Sequence, residues 1–404
     1  MTTAKPVMSV RRSILVLGLL EAFGPLSMDL YMPQLPQLAA SLGTSDALAQ
    51  ATMSVCMIGL GVGQLIAGPL SDRFGRRRPL LIGVALFALF SLACVFAPTI
   101  EVLIAARLAQ GLAGSAGIVI CLAVARDLYQ GAELSRMLSL LALVSASAPI
   151  VAPVIGGQLA LIMDWRGIFG VLTGIGALLF VLAATSLRET LPPERRHSGG
   201  MLRTTGRHLR ELARDRVFVT LLVAAAAGGV AFFTYLSQSS FVLQNEYGLS
   251  PQLFSLVFAA NALANMIGSQ VSRVAVRRLG PVRMYLSGQT ATAAAASLFV
   301  VAALAGLPVA AVVGALAFFL FSIGVGGPNG TTLALGAHAE RAGTASAALG
   351  TLQFTVGPIV APLAALGGSN AIAMSLTMAA GACLAAALAW LVVRPLVARA
   401  GLAP

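Results

Sequence analysis

Apolar residues fill this chain in long runs, each close to the twenty residues that a helix needs to cross a bilayer. Twelve such runs can be marked, near 13–38, 48–70, 79–98, 101–125, 137–161, 166–187, 218–243, 252–276, 284–304, 308–331, 343–367 and 370–393. Short connectors carrying Gly, Pro and charged residues separate them. The pattern predicts an all-α membrane protein with twelve transmembrane helices in two six-helix bundles. The first run is too long, and too rich in acids, to be a cleaved signal peptide.

The polar stretch of about thirty residues after Leu187 is long for an internal loop, and it marks the domain boundary. The expected organisation is an N-terminal bundle over 1–187, a cytoplasmic linker over 188–217 and a C-terminal bundle over 218–404. Within the linker, Leu202, Leu209 and Leu212 among arginines predict an amphipathic helix lying on the membrane surface. The halves repeat. Pro149-Ile150-Val151-Ala152-Pro153 in the fifth run recurs as Pro358-Ile359-Val360-Ala361-Pro362 in the eleventh, followed by Gly156-Gly157 and Gly367-Gly368 respectively. Arg277-Arg278-Leu279-Gly280 stands after the eighth run where Asp72-Arg73-Phe74-Gly75 stands after the second, without the acid.

Composition fits this picture: 58% of the 404 residues are hydrophobic and 10% charged. The net charge of +12 raises the question of a nucleic-acid partner, and the placement of the charges answers it. Lys5, Arg11 and Arg12 precede the first run, and Arg73, Arg76, Arg77 and Arg78 follow the second. Arg126 and Arg136 follow the fourth, the linker is arginine-rich, and Arg273, Arg277, Arg278 and Arg283 follow the eighth. Arg341, Arg394 and Arg399 continue the series on the same side. The opposite connectors hold Asp46, Glu101, Asp164 and Glu246, with Arg166 their one basic residue. Short loops rich in Lys and Arg stay inside, so both termini are expected in the cytoplasm, and no soluble basic face remains for nucleic acid. Cys56, Cys94, Cys121 and Cys383 fall inside apolar runs with no metal-ligand spacing and read as packing residues. His197, His208 and His338 lie in connectors.

Ionisable residues at membrane depth are costly, and therefore candidates for function. Glu21 and Asp29 are eight residues apart in the first run, which puts them about 12 Å apart along a helix and roughly 80° apart around it. Burying a carboxylate favours its protonated form, so either acid can carry a proton or, ionised, hold a cationic substrate. Asp29 can equally sit at the outer interface beside Pro33 and Pro36. Pro25, four residues after Glu21, frees a carbonyl and is expected to kink the span between the acids. Arg107 in the fourth run can neutralise one of these acids, hold substrate oxygens beside Gln110, or snorkel outward. Gly111, Gly114 and Gly117 follow it at helical spacing, as a smooth face for close packing. Pro149, Pro153, Gly156 and Gly157, with Pro358 and Pro362, are expected to bend helices at a central cavity. In the second half the membrane-depth polar groups are neutral and include Asn261, Asn265, Asn329 and Gln353. With Tyr31, Gln110, Phe232 and Tyr235 they suit a moderately polar aromatic ligand, although aromatics at these positions can also face lipid.

The connector after the second run concentrates charge in twelve residues, Gly68-Pro69-Leu70-Ser71-Asp72-Arg73-Phe74-Gly75-Arg76-Arg77-Arg78-Pro79. Gly68 and Gly75 permit close backbone approach or a positive φ, and Asp72 can pair with an arginine or cap a helix. Arg126 and Asp127 form either a cytoplasmic latch with Asp72, Arg73 or Arg136, or a solvated helix end. This connector resembles the signature loop of the major facilitator superfamily, whose members are secondary transporters built as six plus six parallel repeats. Over nearly its full length the chain resembles the Bcr/CflA branch of the drug:proton antiporters. The motifs that carry this are Ser27-Met28-Asp29-Leu30-Tyr31-Met32-Pro33, the loop itself, Arg107 to Gly111, Arg126-Asp127-Leu128-Tyr129, Glu189-Thr190-Leu191-Pro192-Pro193 and Ala342-Gly343-Thr344-Ala345-Ser346.

The resemblance implies export of small drug-like molecules such as phenicols or bicyclomycin across the bacterial inner membrane. It also implies proton exchange as the driving force, no cofactor, and a monomer. An acid at Glu21 looks like the phenicol exporters. Ala152-Pro153 departs from the Gly-Pro that the antiporter signature usually carries. Export of an endogenous amino acid or sugar is the alternative within the class, and a non-transporting receptor or assembly factor lies outside it. An enzyme is disfavoured, since no nucleophile and base, metal spacing or phosphate loop occurs.

Overall fold

The computed structural model describes residues 10–196, 210–336 and 342–399, and every regular element among them is a helix. Lys5, Leu202, Leu209, Arg341 and the three histidines lie outside the described residues. The chain divides into two units, Met1–Gly199 and Gly200–Pro404. The first holds α1 (Val10–Asp29), α2 (Leu35–Ser41), α3 (Asp46–Phe74), α4 (Arg77–Val95), α5 (Ile100–Leu128), α6 (Gly131–Leu159) and α7 (Trp165–Ser186). The second holds α8 (Arg216–Phe241), α9 (Pro251–Leu304), α10 (Val309–Gly336), α11 (Ala342–Ala364), α12 (Ala371–Leu388) and α13 (Arg394–Arg399). Several helix starts are set by side chains in the connectors. Ser45, Asp164, Asp215, Ser250 and Asn370 each accept first-turn N–H groups, donors that would otherwise face the end of a helix unpaired.

Among the described residues, nine helices are long and apolar enough to cross a membrane. One of them, α9, is two expected spans folded at Gly280. Arg11, Arg12, Glu21 and Asp29 make α1 too charged for that count, and the apolar part of α11 is short. With these included, the twelve expected spans are present.

The structure corrects the sequence reading in three places. The run 13–38 is not one helix: α1 ends at Asp29, a single 3-10 turn covers Met32–Gln34, and α2 begins afresh at Leu35. Pro33 and Pro36 lack the N–H groups that a continuous helix would need there. The surface helix expected over 202–217 does not extend to 217. Leu212 is buried in the core of the second unit with Phe218, Leu221 and Val397, and α8 starts at Arg216. Gly111 and Gly117 pack closely as expected, on different helices: Gly111 meets the Cys56 carbonyl of α3, and Gly117 meets Leu20 and Phe23 of α1. Finally, Cys383 is exposed on α12, whereas Cys56, Cys94 and Cys121 are buried.

The internal repeat is visible in the backbone. Gly75 has φ 89° and ψ 167°, and Gly280 has φ 77° and ψ 159°, a combination essentially reserved for glycine. Gly63 and Gly83 flank the first turn at the spacing at which Gly268 and Gly288 flank the second. A Cβ at any of these four would strike the facing helix. The helix pairs α3/α4 and the two arms of α9 therefore bend and pack by the same glycine pattern. The proline repeat is less symmetric. Pro149 and Pro153 lie inside α6 and Pro358 and Pro362 inside α11, all in continuous helix. However, Gly156 and Gly157 remain within α6, where Gly156 meets the Leu30 carbonyl, whereas Gly368 lies beyond the end of α11 at φ 107°.

Candidate functional site

Arg107 is the centre of the first unit. It projects from α5, is fully buried, and lies with its guanidinium 4.6 Å from the Tyr31 ring centroid and 5.4 Å from that of Phe169. Nε donates to the Thr52 carbonyl at 3.3 Å, and Nη1 donates to the Ser27 carbonyl at 3.3 Å and to Gln110 Oε1 at 2.5 Å. Gln110 passes the chain on, donating to Ser91 Oγ at 2.6 Å, which donates to the Phe87 carbonyl at 2.8 Å. Tyr31 and Thr52 hydroxyls are bonded at 2.9 Å. A buried cation is tolerable where aromatic faces and carbonyl dipoles surround it. Among the described residues no acid forms an ion pair with Arg107, and its Nη2 is buried without a partner.

Both acids of α1 are buried. Glu21 Oε1 accepts the Ser145 hydroxyl of α6 at 2.9 Å, while its Oε2 is buried without a partner. Asp29 is 7% exposed at the C-terminal end of α1, two residues beyond the carbonyl that Arg107 holds. That end is fixed from outside the helix by the Gly156 contact and by the Tyr31 ring. Pro25 lies inside α1, which continues unbroken through it.

The neutral groups expected in one cavity are divided in the second unit. Phe232, Asn265 and Gln353 line a cavity of about 270 Å³, joined by Tyr285, Gln289 and Thr292. Tyr235, Asn261 and Asn329 do not line it. Tyr235 stacks on Phe258 at 5.5 Å and accepts from Asn261 Nδ2 at 3.1 Å, and Asn329 donates to Ser272 Oγ at 2.7 Å. Likewise, Tyr31 and Gln110 are absorbed by the Arg107 network.

The charged loop is organised by Arg76 rather than Arg73. Arg76 Nη1 pairs with Asp72 and donates to Ser71 Oγ at 2.8 Å, and its Nε donates to Asp127 at 3.1 Å. Asp127 also accepts from Thr190 Oγ1 at 3.0 Å. Arg73 instead lies over the Phe74 ring, and Arg126 is exposed; neither forms an ion pair among the described residues. Gly75 supplies the positive φ, whereas Gly68 sits within helical α3 with ordinary room around it, so neither reason expected for it applies. Glu189 accepts the backbone N–H groups of Arg76 at 2.7 Å and Arg77 at 3.2 Å, and so caps α4. Burial pushes the Glu189 carboxyl up, but these N–H groups, that of Leu191 and the Arg196 charge outweigh it and hold the carboxyl below its ordinary value.

Sequence reasoning missed Ser145, Thr52, Phe169 and Ser91 around the buried charges, and the contacts that Arg77 and Glu189 make at the loop. The signal for Ser91 was a lone hydroxyl in an apolar run; Phe169 carried none.

The comparisons with known proteins agree with this architecture. Residues 17–362 match the Major Facilitator Superfamily. The Uncharacterized MFS-type transporter YdgK of Bacillus subtilis is 40% identical over 90% of each chain. The bicyclomycin resistance protein homolog of Haemophilus influenzae is 29% identical over 92% of each, and a chloramphenicol resistance protein of Pseudomonas aeruginosa is 29% identical over 88% of this chain and 85% of its own. Among solved structures, the nucleoside transporter NupG aligns with a TM-score of 0.77 at 12% identity, covering 94% of this chain and 98% of its own. The chain belongs to the Major Facilitator Superfamily and is a multi-pass membrane transporter, not an enzyme.

Proposed function

We propose that this transporter is a proton-driven antiporter that exports uncharged, drug-like molecules of phenicol or bicyclomycin type across the bacterial inner membrane, as a monomer with both termini in the cytoplasm. The observation that carries this is the pair of buried acids on α1, one of which leaves a carboxylate oxygen unpartnered. A buried acid with an open oxygen can take and release a proton, and a charge kept at that depth has a function by default. Glu21 and Asp29 are the proton carriers. Arg107 supplies the fixed positive field that keeps an ionised acid tolerable, and its Nη2 is a donor for a substrate oxygen. The cavity of the second unit offers neutral hydrogen bonds beside Phe232, which suits a moderately polar aromatic molecule. The gradient drives export because protonation and substrate favour opposite-facing states. The names of the relatives from Haemophilus influenzae and Pseudomonas aeruginosa support a drug as cargo.

The test is efflux in inside-out vesicles with chloramphenicol and a panel of unrelated drugs, comparing wild type with Asp29→Asn and Glu21→Gln. A drug-induced collapse of the pH gradient that both substitutions abolish is expected. A gradient that answers to no drug would move the assignment to an endogenous metabolite. An equal response in the variants would remove the acids from the mechanism.

A further inference from the structure

The first unit carries a second, wholly different recess. α3 and α4 both pack on α5 but hardly touch each other, because Gly63 of α3 and Gly83 of α4 bring each helix against α5 with no room for a Cβ. The result is a groove of about 660 Å³, floored by Ala109 and Ala113 and walled by Ile66 and Ile82, both of which are more than half exposed. Its walls run from Gly63 to Phe74 on α3 and from Arg78 to Phe90 on α4, which is about 16–18 Å of helix. That is roughly half of the ~30 Å hydrocarbon core, or one leaflet.

Charge is confined to one end. Arg78 is the one charged residue that lines the groove, and Arg73 stands beside it with its guanidinium 5.2 Å from the ring of Phe74, another lining residue. The neighbouring arginines are engaged inside the unit: Arg76 by Asp72 and Asp127, and Arg77 by the Ala184 and Leu187 carbonyls at 2.8 Å each. The nearby acid Glu189 is bound to the α4 backbone. Arg73 and Arg78 are thus exposed cations without an ion pair among the described residues. An apolar trough one leaflet long, with one arginine without an ion pair lining its end and a second lying over the ring of a lining residue, has the shape and charge to hold a single lipid.

We propose that this groove holds an acyl chain of an anionic glycerophospholipid, whose phosphate is gripped by Arg78 and Arg73. The site lies outside the Arg107 centre and shares no residue with the cavity of the second unit.

The experiment is native mass spectrometry of the full-length protein in detergent, with phosphatidylglycerol or phosphatidylcholine of the same acyl chains added. Phosphatidylglycerol, which lacks the choline cation and keeps a net negative charge, should be retained at least about fivefold better, the effect of one basic residue near an anionic headgroup. Arg78→Gln should remove most of that preference and Arg78→Lys should preserve it, which separates loss of charge from loss of fold. Ala109→Phe, which fills the floor, should reduce retention of both lipids. Equal retention of the two lipids, or an Arg78→Gln protein with undiminished preference, would overturn the proposal. So would strict competition between chloramphenicol and phosphatidylglycerol, which would assign the groove to the transported molecule, or dimers that dissociate on adding lipid, which would assign it to a second copy of the chain.

Discussion

Glu189 and Arg76 are 113 residues apart in sequence, yet the Glu189 carboxylate accepts the Arg76 backbone N–H at 2.7 Å and ties the segment after α7 to the first turn of α4. Because the folded protein holds this carboxyl below its ordinary value of 4.5, its contribution to stability is fully present above that value. It is lost as pH falls through the lowered folded value. Glu189→Gln should therefore reduce thermal stability in detergent at pH 7 and converge with wild type in acid, once pH has fallen through the lowered folded value. For an exposed, solvent-screened group the expected difference at pH 7 is about 0.5 kcal/mol. A gap that widens in acid would contradict the assignment.

Gly75 and Gly280 share a backbone conformation that other residues adopt at a cost of about 1–3 kcal/mol. Gly75→Ala and Gly280→Ala should each lower the melting temperature. At Gly75 the added Cβ would also meet the Glu189 carboxylate, so that side chain has to shift as well. Unchanged melting of either variant would mean that the turn can relax.

Arg107→Lys keeps the charge and removes the planar group held between Tyr31 and Phe169. A lysine cannot reach the Thr52 and Ser27 carbonyls and Gln110 together with the geometry of a guanidinium. Leaving one or two buried acceptors unpaired should cost about 2–3 kcal/mol in unfolding, read by thermal or denaturant melting. Gln110→Leu should cost less, since the two carbonyl contacts survive it.

Glu21, Asp29 and Arg107 could be singled out because a charge inside an apolar run is costly, and the structure buries all three rather than placing Asp29 or Arg107 at an interface. Their surroundings could not be. Thr52, Phe169, Ser91 and Ser145 come from α3, α7, α4 and α6, and only helix packing brings them to the charges. The first repeat glycine was readable from its motif, and its partner Gly280 from the degraded copy, since both turns need the same backbone. The division of the neutral residues in the second unit was hidden for a simpler reason. Asn261 and Asn265 are one helical turn apart, yet one bonds Tyr235 and the other the Leu320 carbonyl, and sequence spacing does not say which neighbour a helix face meets. Glu189 was quoted only as part of a motif, and its capping role was hidden because an acid in a polar linker looks solvated until the distant α4 start is placed against it.

The last expectation separates two arginines three residues apart that the sequence could not tell apart. The Arg76 side chain bridges Asp72 and Asp127 while 11% exposed, whereas Arg73 is exposed and rests on a ring. Arg76→Ala keeps the backbone N–H that Glu189 accepts, so the substitution isolates the side chain. Charge-assisted bonds in a partly buried network should make it cost about 1–2 kcal/mol, against less than about 0.5 kcal/mol for Arg73→Ala. A double-mutant cycle of Arg76→Ala with Asp127→Asn should show a coupling of about 0.5–1 kcal/mol, because the second change has little left to remove once the bridge is gone. Equal costs for the two arginines, or additivity in the cycle, would mean that the bridge is a solvated surface contact. In that case the hold between this loop and the segment after α7 would rest on Glu189, Thr190 and the Arg77 bonds to the Ala184 and Leu187 carbonyls.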